Sequence, residues 1–287
     1  MRVLIAGCGY VGLALGARLV ASGHTVAGIR RPGSSPEPLR DAGIEALAAD
    51  LGSLETLRSL PARWDWVVHC AAPRTSDPDA YRSTYLAGAR NLLEWLRPQP
   101  PRAFVFTSST GVYAQDDGSA VDEDAPAEPV TATSRVLRET EELLLAAARA
   151  GFPALILRVA GIYGPGRNRL DALRRGEVRL SGTGERWVNL AHRDDVATAI
   201  IAALERGQRG RTYNVCDGAR VTEREYYGWL TERLGVALPP AATPEELERR
   251  SRWATHKRVL ADRLRRETGW EPRFADFRAG YAECFTR

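Results

Sequence analysis

The sequence predicts a doubly wound α/β fold, a parallel sheet covered by helices on both faces, with a smaller mixed α/β lobe at the C-terminal end. Three observations predict it. Short apolar runs rich in β-formers alternate with helix-friendly stretches along much of the chain, the order that βαβ units produce. The first run leads into Gly7, Gly9 and Gly12 at the spacing G-x-G-x-x-G, with a helical stretch behind it. Small and hydroxylated residues gather where later runs end, at Ala71-Ala72 and at Thr107 to Thr110, where such a sheet leaves room for a ligand.

Taken in order, Arg2 to Ala6 reads as a buried parallel strand. Gly7 permits a tight turn, Gly9 lets a pyrophosphate approach the backbone, and Gly12 lets helix and strand pack closely. Tyr10 and Val11 complete the loop. The helix Leu13 to Ala21 then points free N–H groups and its positive end at the phosphates, so the stretch reads as a dinucleotide site. Ser22-Gly23 ends the helix, and His24 to Ile29 is the second strand. An NAD site places an acid near the end of that strand, on the ribose 2′-OH. Here the chain has Arg30-Arg31. A guanidinium grips a 2′-phosphate that an acid would repel, which points to NADP, with NAD as the alternative.

Pro32 to Pro38 reads as a loop, Leu39 to Ala42 as a short helix, and Ile44 to Ala49 as a third strand closed by Asp50-Leu51. Asp50 is a candidate to receive the adenine amino group, or an ordinary strand-end acid. Leu54 to Leu60 is helical, and Trp66 to Ala72 is a fourth strand in which His69 packs and Ala71 and Ala72 let a ligand lie against the backbone. A long helix is expected over 78–97, with Tyr81, Tyr85, Leu92 and Leu96 as core. The fifth strand, Arg102 to Phe106, runs into Thr107-Ser108-Ser109-Thr110, which is either a ligand site or a self-bonded turn. Residues 114–130 form an acidic loop in which Asp122, Glu123 and Asp124 are solvated, followed by a helix from Thr133 to Ala150 and a sixth strand from Ala154 to Val159.

Beyond it, Leu170 to Gly176 reads as a short helix and Arg179 to Trp187 as a glycine-bearing ribbon. Asp195 precedes the helix Val196 to Arg206, as an N-cap or a domain tie. Tyr213 to Val215 is a strand, and Thr222-x-x-Glu225 is a capping box. Residues 237–247 read as a mobile Pro/Ala-rich loop over the cleft, and Arg249 to Lys257 as a cationic stretch, either a solvated face or one that meets a phosphate. These elements divide the chain into a dinucleotide-binding Rossmann domain, 1–160 and 185–216, and a substrate lobe, 161–184 and 217–287.

Bulk properties narrow the class. The 287 residues are 44% hydrophobic and 26% charged, with a formal net charge of +4, as an ordinary globular protein would be. Only Lys257 is a lysine, so the remaining 39 of the 40 cations are arginines, scattered rather than blocked. That gives no nucleic-acid footprint. No apolar run reaches membrane-spanning length. Cys8, Cys70, Cys216 and Cys284 lack zinc spacing and fit a reduced, cytoplasmic protein. No metal is expected. The partner is a small-molecule substrate, and a homodimer is left open.

The motifs together resemble the extended and atypical short-chain dehydrogenase/reductase superfamily, the NAD(P)-dependent epimerase/dehydratase group. The resemblance rests on GCGYVG, HCAAP, TSSTGVY, LRVAGIYGPGR, NLAHRDDVA, TYNVCDG and ETGWEPR, and spans essentially the full length. It implies a serine that orients the substrate oxygen, here Ser109, and a tyrosine–lysine pair on the following helix. Matched through Ser134 and Glu139, the tyrosine position holds Thr131 and the lysine position Arg135. An aliphatic hydroxyl does not ionise as a phenol does, and arginine keeps its proton. Arg135 could still hold the nicotinamide ribose. Tyr113 and Tyr163 are the candidate stand-ins. Two functions are therefore expected to compete: an NADP(H)-dependent oxidoreductase or epimerase on a hydroxyl- or carbonyl-bearing substrate such as a nucleotide sugar, and a catalytically impaired NADP(H)-binding sensor or partner-binding module. A non-redox enzyme on the same scaffold is a third.

Overall fold

In the computed structural model, which describes residues 1–246 and 255–285, seven parallel strands form one sheet. In chain order they are β1 (Arg2–Ala6), β2 (Thr25–Arg30), β3 (Glu45–Ala48), β4 (Trp66–His69), β5 (Ala103–Ser109), β7 (Ala154–Val159) and β10 (Thr212–Val215). Their spatial order is β10-β7-β5-β4-β1-β2-β3. The first strand thus lies at the centre, flanked by β2 and β4, with Ala6 opposite both Ile29 and His69. Sequence order reverses there, and the crevice above this switch point is where such sheets bind ligands. The central strands are apolar on both faces because helices cover both; Val3 to Ala6 and Phe104 to Phe106 are fully buried.

α1 (Tyr10–Ala21) begins directly after Gly9, three residues earlier than its apolar pattern suggests, and packs on α8 (Arg193–Arg206). α6 (Ala132–Arg149) starts at Thr131, whose Oγ accepts the Ser134 N–H at 3.1 Å. α8 also starts earlier than expected, so Asp195 lies inside it rather than capping it. His192 is the cap, and the Asp195 carboxylate accepts the N–H groups of Arg273 and Phe274. Asp195 is the tie rather than the cap.

The helix expected over 78–97 is broken. It consists of α4 (Pro78–Tyr81), a π-helical turn over Arg82–Ala87, and α5 (Gly88–Leu96). Gly88 presses on the sheet, since a Cβ there would lie 3.3 Å from Leu51 and 3.5 Å from the His69 imidazole. The wider turn lets α5 seat on the sheet while Tyr81 to Tyr85 keep a face toward the strand ends.

The acidic loop 114–130 is less loose than its composition suggests. β6 (Ala120–Val121) pairs with β11 (Arg258–Val259), and Glu123 is buried, accepting the Asn214 N–H at 2.8 Å. Burial pushes the Glu123 carboxyl above its ordinary value. The ribbon expected over 179–187 does not form. Leu180 bridges to Ala241 and Trp187 to Thr222, so the Pro/Ala-rich stretch is pinned at that point. Arg249, Arg250 and Arg252 lie outside the described residues. β8 (Gly161–Tyr163) pairs with β9 (Leu190–His192). Beside the main core, a second apolar cluster forms around Tyr163, Leu173, Tyr226, Leu230, Phe277 and Tyr281.

Candidate active site

A cleft of about 1020 Å³ runs over the strand ends, from Arg30 and Arg31 past the glycine loop to Ser109 and Ile162. The glycine loop forms its floor. Gly7 has a φ of +93°, and a Cβ there would sit 2.2 Å from the Ala71 backbone. At Gly12 it would meet the Gly7 carbonyl at 2.9 Å and Ile5 at 3.0 Å. Gly9 differs: nothing lies closer than 4.0 Å, so its missing side chain leaves the cleft open. Gly9 also caps α1, with no side chain on its N–H groups and no acid in the first turn. A diphosphate fits this cradle, because free N–H groups at a helix start favour an anion. Tyr10, Val11, Asp50, Leu51, Ala71 and Ala72 line the same cleft.

Arg30 and Arg31 both reach the cleft, with Arg30 steadied by donation to the Ser35 carbonyl at 2.8 Å. Asp50 spends one carboxylate oxygen on the Gly52 N–H. Tyr10 donates to the Pro165 carbonyl at 3.0 Å and carries the guanidinium groups of Arg167 and Arg193 on its ring. The glycine loop is thereby joined to the segment after β8.

At the other end, Ser109 caps the short turn Thr110–Val112, its Oγ accepting the Gly111 N–H at 3.0 Å. Among the described residues its own proton has no acceptor and is free to donate. α6 presents Thr131, Thr133, Ser134 and Leu137 to the cleft. Arg135 is absent from this face; it is exposed and donates to the Pro129 carbonyl. One i, i+4 pair on the cleft side is Thr133 and Leu137, two residues beyond Thr131 and Arg135. Glu139 is half-exposed and pairs with Arg82 at 3.2 Å. The acid that is buried on α6 is Glu141, which takes Arg158 in two hydrogen bonds and Ser108 Oγ at 2.7 Å.

Tyr113 lines the cleft, but neither stand-in phenol has a hydroxyl open to it. The Tyr113 side chain is fully buried, its hydroxyl donating to Asn214 Oδ1 and accepting from Arg158, both at 2.9 Å. Burial raises its pKa. Tyr163 stacks on Tyr281 at 5.0 Å with its hydroxyl buried and unpartnered among the described residues. Tyr81 and Tyr85, expected in the core, are partly buried against it and also line the cleft with Ser83 and Thr84. Their helical spacing was visible in the sequence; the π-helical turn that exposes them was not.

Lys257, expected on a cationic face, is buried instead. Its ammonium donates to the Tyr113 carbonyl at 2.8 Å and to Thr255 Oγ. Desolvation pushes it down to about 8. Thr255 lines the cleft, so the lysine holds one wall in place. His69 is buried under the π-helical turn and pushed down to about 4 by burial, which keeps it neutral. Among the described residues no cluster of His, Cys, Asp and Glu could hold a metal, and no helix is long and apolar enough to cross a membrane. None of the four cysteines forms a disulfide.

Comparison with known proteins agrees with this geometry. Protein YeeZ of Escherichia coli is 32% identical over 248 residues, 83% of this chain and 85% of that one. A 3-diazoavenalumate denitrifying reductase from a Streptomyces species is 31% identical over 307 residues, 98% of this chain and 99% of the other. The dTDP-glucose 4,6-dehydratase of Streptomyces venezuelae, solved with NAD bound, superposes with a TM-score of 0.84 over 98% of this chain and 95% of that one; at 22% identity it shows the fold alone. The family model described as the NAD dependent epimerase/dehydratase family matches residues 3–216, from the glycine loop through the last strand of the sheet. The chain belongs to that family.

Proposed function

We propose that the protein is an NADP(H)-dependent oxidoreductase acting at a hydroxyl or carbonyl carbon, the redox step that reductases and epimerases of this family share. The substrate lies between the strand ends and the lobe contributed by 161–184 and 217–287. The observation that carries the reading is the open cradle at Gly9, which leads from two cleft arginines at one end to a free serine hydroxyl at the other.

Bound in this cleft, a nicotinamide cofactor supplies hydride chemistry. The chain does the rest. Gly7 to Gly12 and the start of α1 hold the diphosphate, Arg30 and Arg31 hold a 2′-phosphate, and Ala71 and Ala72 let the cofactor lie against the backbone. Ser109 donates to the substrate oxygen. The α6 face supplies hydroxyls but no ionisable group, so the proton comes from the cleft phenols or from water reaching those hydroxyls. Acid–base assistance contributes roughly 10²–10⁴-fold, and its loss favours a second reading, a cofactor-binding module with little turnover. Oxidation of bound NADPH on adding a carbonyl compound separates the two.

Titrating NADPH and NADH by fluorescence tests the cofactor. NADPH binds more tightly, and Arg30→Ala with Arg31→Ala removes a few kcal/mol of preference, at about 1.5–3 per charge-assisted bond. Equal wild-type affinities for the two cofactors overturn the assignment.

A further inference from the structure

Tyr81 and Tyr85 stand out among the phenols of this chain. Their rings meet edge to face at 5.2 Å, and Tyr85 in turn packs edge-on against Phe106 at 6.0 Å. Both line the cleft, and neither hydroxyl has a hydrogen-bond partner among the described residues. Tyr10, the other cleft phenol with its side chain near this end, is spent on Pro165. The pair therefore forms an aromatic wall with two unused hydroxyls. It sits against β5 and His69 of β4, the strands whose ends carry Ser109 and Ala71.

Arg167 faces the same space. It lines the cleft, its backbone bridges to Gly164 and its guanidinium lies 5.7 Å from the Tyr10 ring, yet among the described residues that guanidinium makes no ion pair and no hydrogen bond. Of the other charged residues that line the cleft, Asp116 pairs with Arg186, Arg30 donates to the Ser35 carbonyl and Asp50 accepts from Gly52, while Arg31 and Arg74 also keep open guanidinium groups among the described residues. A guanidinium with a free fork beside a ligand cavity matches a carboxylate in two parallel bonds. Val130, 64% exposed, together with Leu137 and Ile162, adds apolar lining beside the hydroxyls of Thr131, Thr133 and Ser134.

We infer that the inner end of the cleft takes an aryl carbonyl compound bearing a carboxylate, its ring against Tyr81 and Tyr85 and its carboxylate on Arg167. This rests on the oxidoreductase reading and names its substrate class. A sugar nucleotide would bring its hydroxyl-covered sugar to the strand ends and its planar base far from them. The wall at the strand ends is aromatic, which suits a planar reacting group.

Binding is measured by calorimetry on protein saturated with NADP⁺, using benzoylformate, acetophenone, pyruvate and UDP-glucose as probes. Benzoylformate binds about tenfold or more tighter than acetophenone, which lacks the carboxylate, and than pyruvate, which lacks the ring. Arg167→Gln abolishes the advantage over acetophenone. Tyr85→Leu weakens benzoylformate and acetophenone together and leaves pyruvate unchanged. Circular dichroism and the NADP⁺ affinity of each variant establish that the fold and cofactor site persist. If NADP⁺ binds but benzoylformate shows no advantage, or UDP-glucose binds best, or Arg167→Gln changes nothing, the substrate class is wrong while the oxidoreductase reading stands. If neither NADP⁺ nor NADPH binds, both fall.

Discussion

Gly9 and Gly12 belong to one motif yet respond to substitution in opposite ways. A Cβ at Gly9 enters open cleft, so Gly9→Val folds normally and loses NADPH binding. A Cβ at Gly12 enters packed backbone and Ile5, so Gly12→Val loses about 1–3 kcal/mol of stability, the usual cost of overpacking. Urea midpoints beside NADPH titrations distinguish the two, and a Gly9→Val protein that binds NADPH normally would make the loop purely structural. Asp217 gives a pH signature. It is 6% exposed, one oxygen accepts the Ala219 N–H, and burial pushes it up to about 7. Its folded pKa lies above its unfolded one, so its contribution to stability is fully present below about 4 and is lost as pH rises toward 7. Asp217→Asn keeps the acceptor and removes the charge. It stabilises the fold at pH 8 by on the order of 1–3 kcal/mol and does nothing at pH 4; a uniform effect across that range in urea titrations would remove Asp217 as the source.

At the scale of elements, α6 decides what chemistry the cleft can do. Its cleft face is Thr131, Thr133, Ser134 and Leu137, with Arg135 turned to solvent. Arg135→Ala accordingly leaves NADPH affinity within about twofold, as for an exposed side chain with no ligand contact; a tenfold loss by fluorescence titration would return Arg135 to the cofactor. The sequence made the helix legible through its apolar stripe, but a motif match fixes register only to within the residues that anchor it. Matched through Ser134 and Glu139, the lysine position falls on Arg135, whose exposure the match did not signal. Glu141 was the readable charge: it falls on the stripe of Val136, Leu137, Leu144 and Ala148, all buried, where a charge requires a partner. The π-helical turn had no such signal. Tyr81 and Tyr85 keep an i, i+4 spacing in either helix type, so spacing alone placed them in the core.

Across the molecule, the strands and their order were readable because each apolar run is short, bounded and separated by a helix. What joins the layers was not, because it depends on polar residues meeting across long sequence separations. Ser108, Glu141, Arg158, Tyr113, Asn214 and Glu123 form one buried hydrogen-bonded chain linking β5, α6, β7, β10 and the acidic loop. Arg158 was the visible half, a charge inside the apolar strand Ala154–Val159. Arg158→Met leaves buried Glu141 with only the longer Arg138 ion pair at 3.4 Å and destabilises by about 3–5 kcal/mol. Unchanged urea midpoints would show that the network is dispensable. Lys257 belongs to this scale as well. It is the chain's one side-chain amine, and it is 4% exposed. Apart from the α-amine of Met1, the folded surface carries its positive charge on guanidinium groups, which acylating and aldehyde reagents leave largely untouched near neutral pH. A reagent that marks lysines finds its target only when the wall around Tyr113 opens, which makes this amine a chemical clock for that opening, already wired into the native chain.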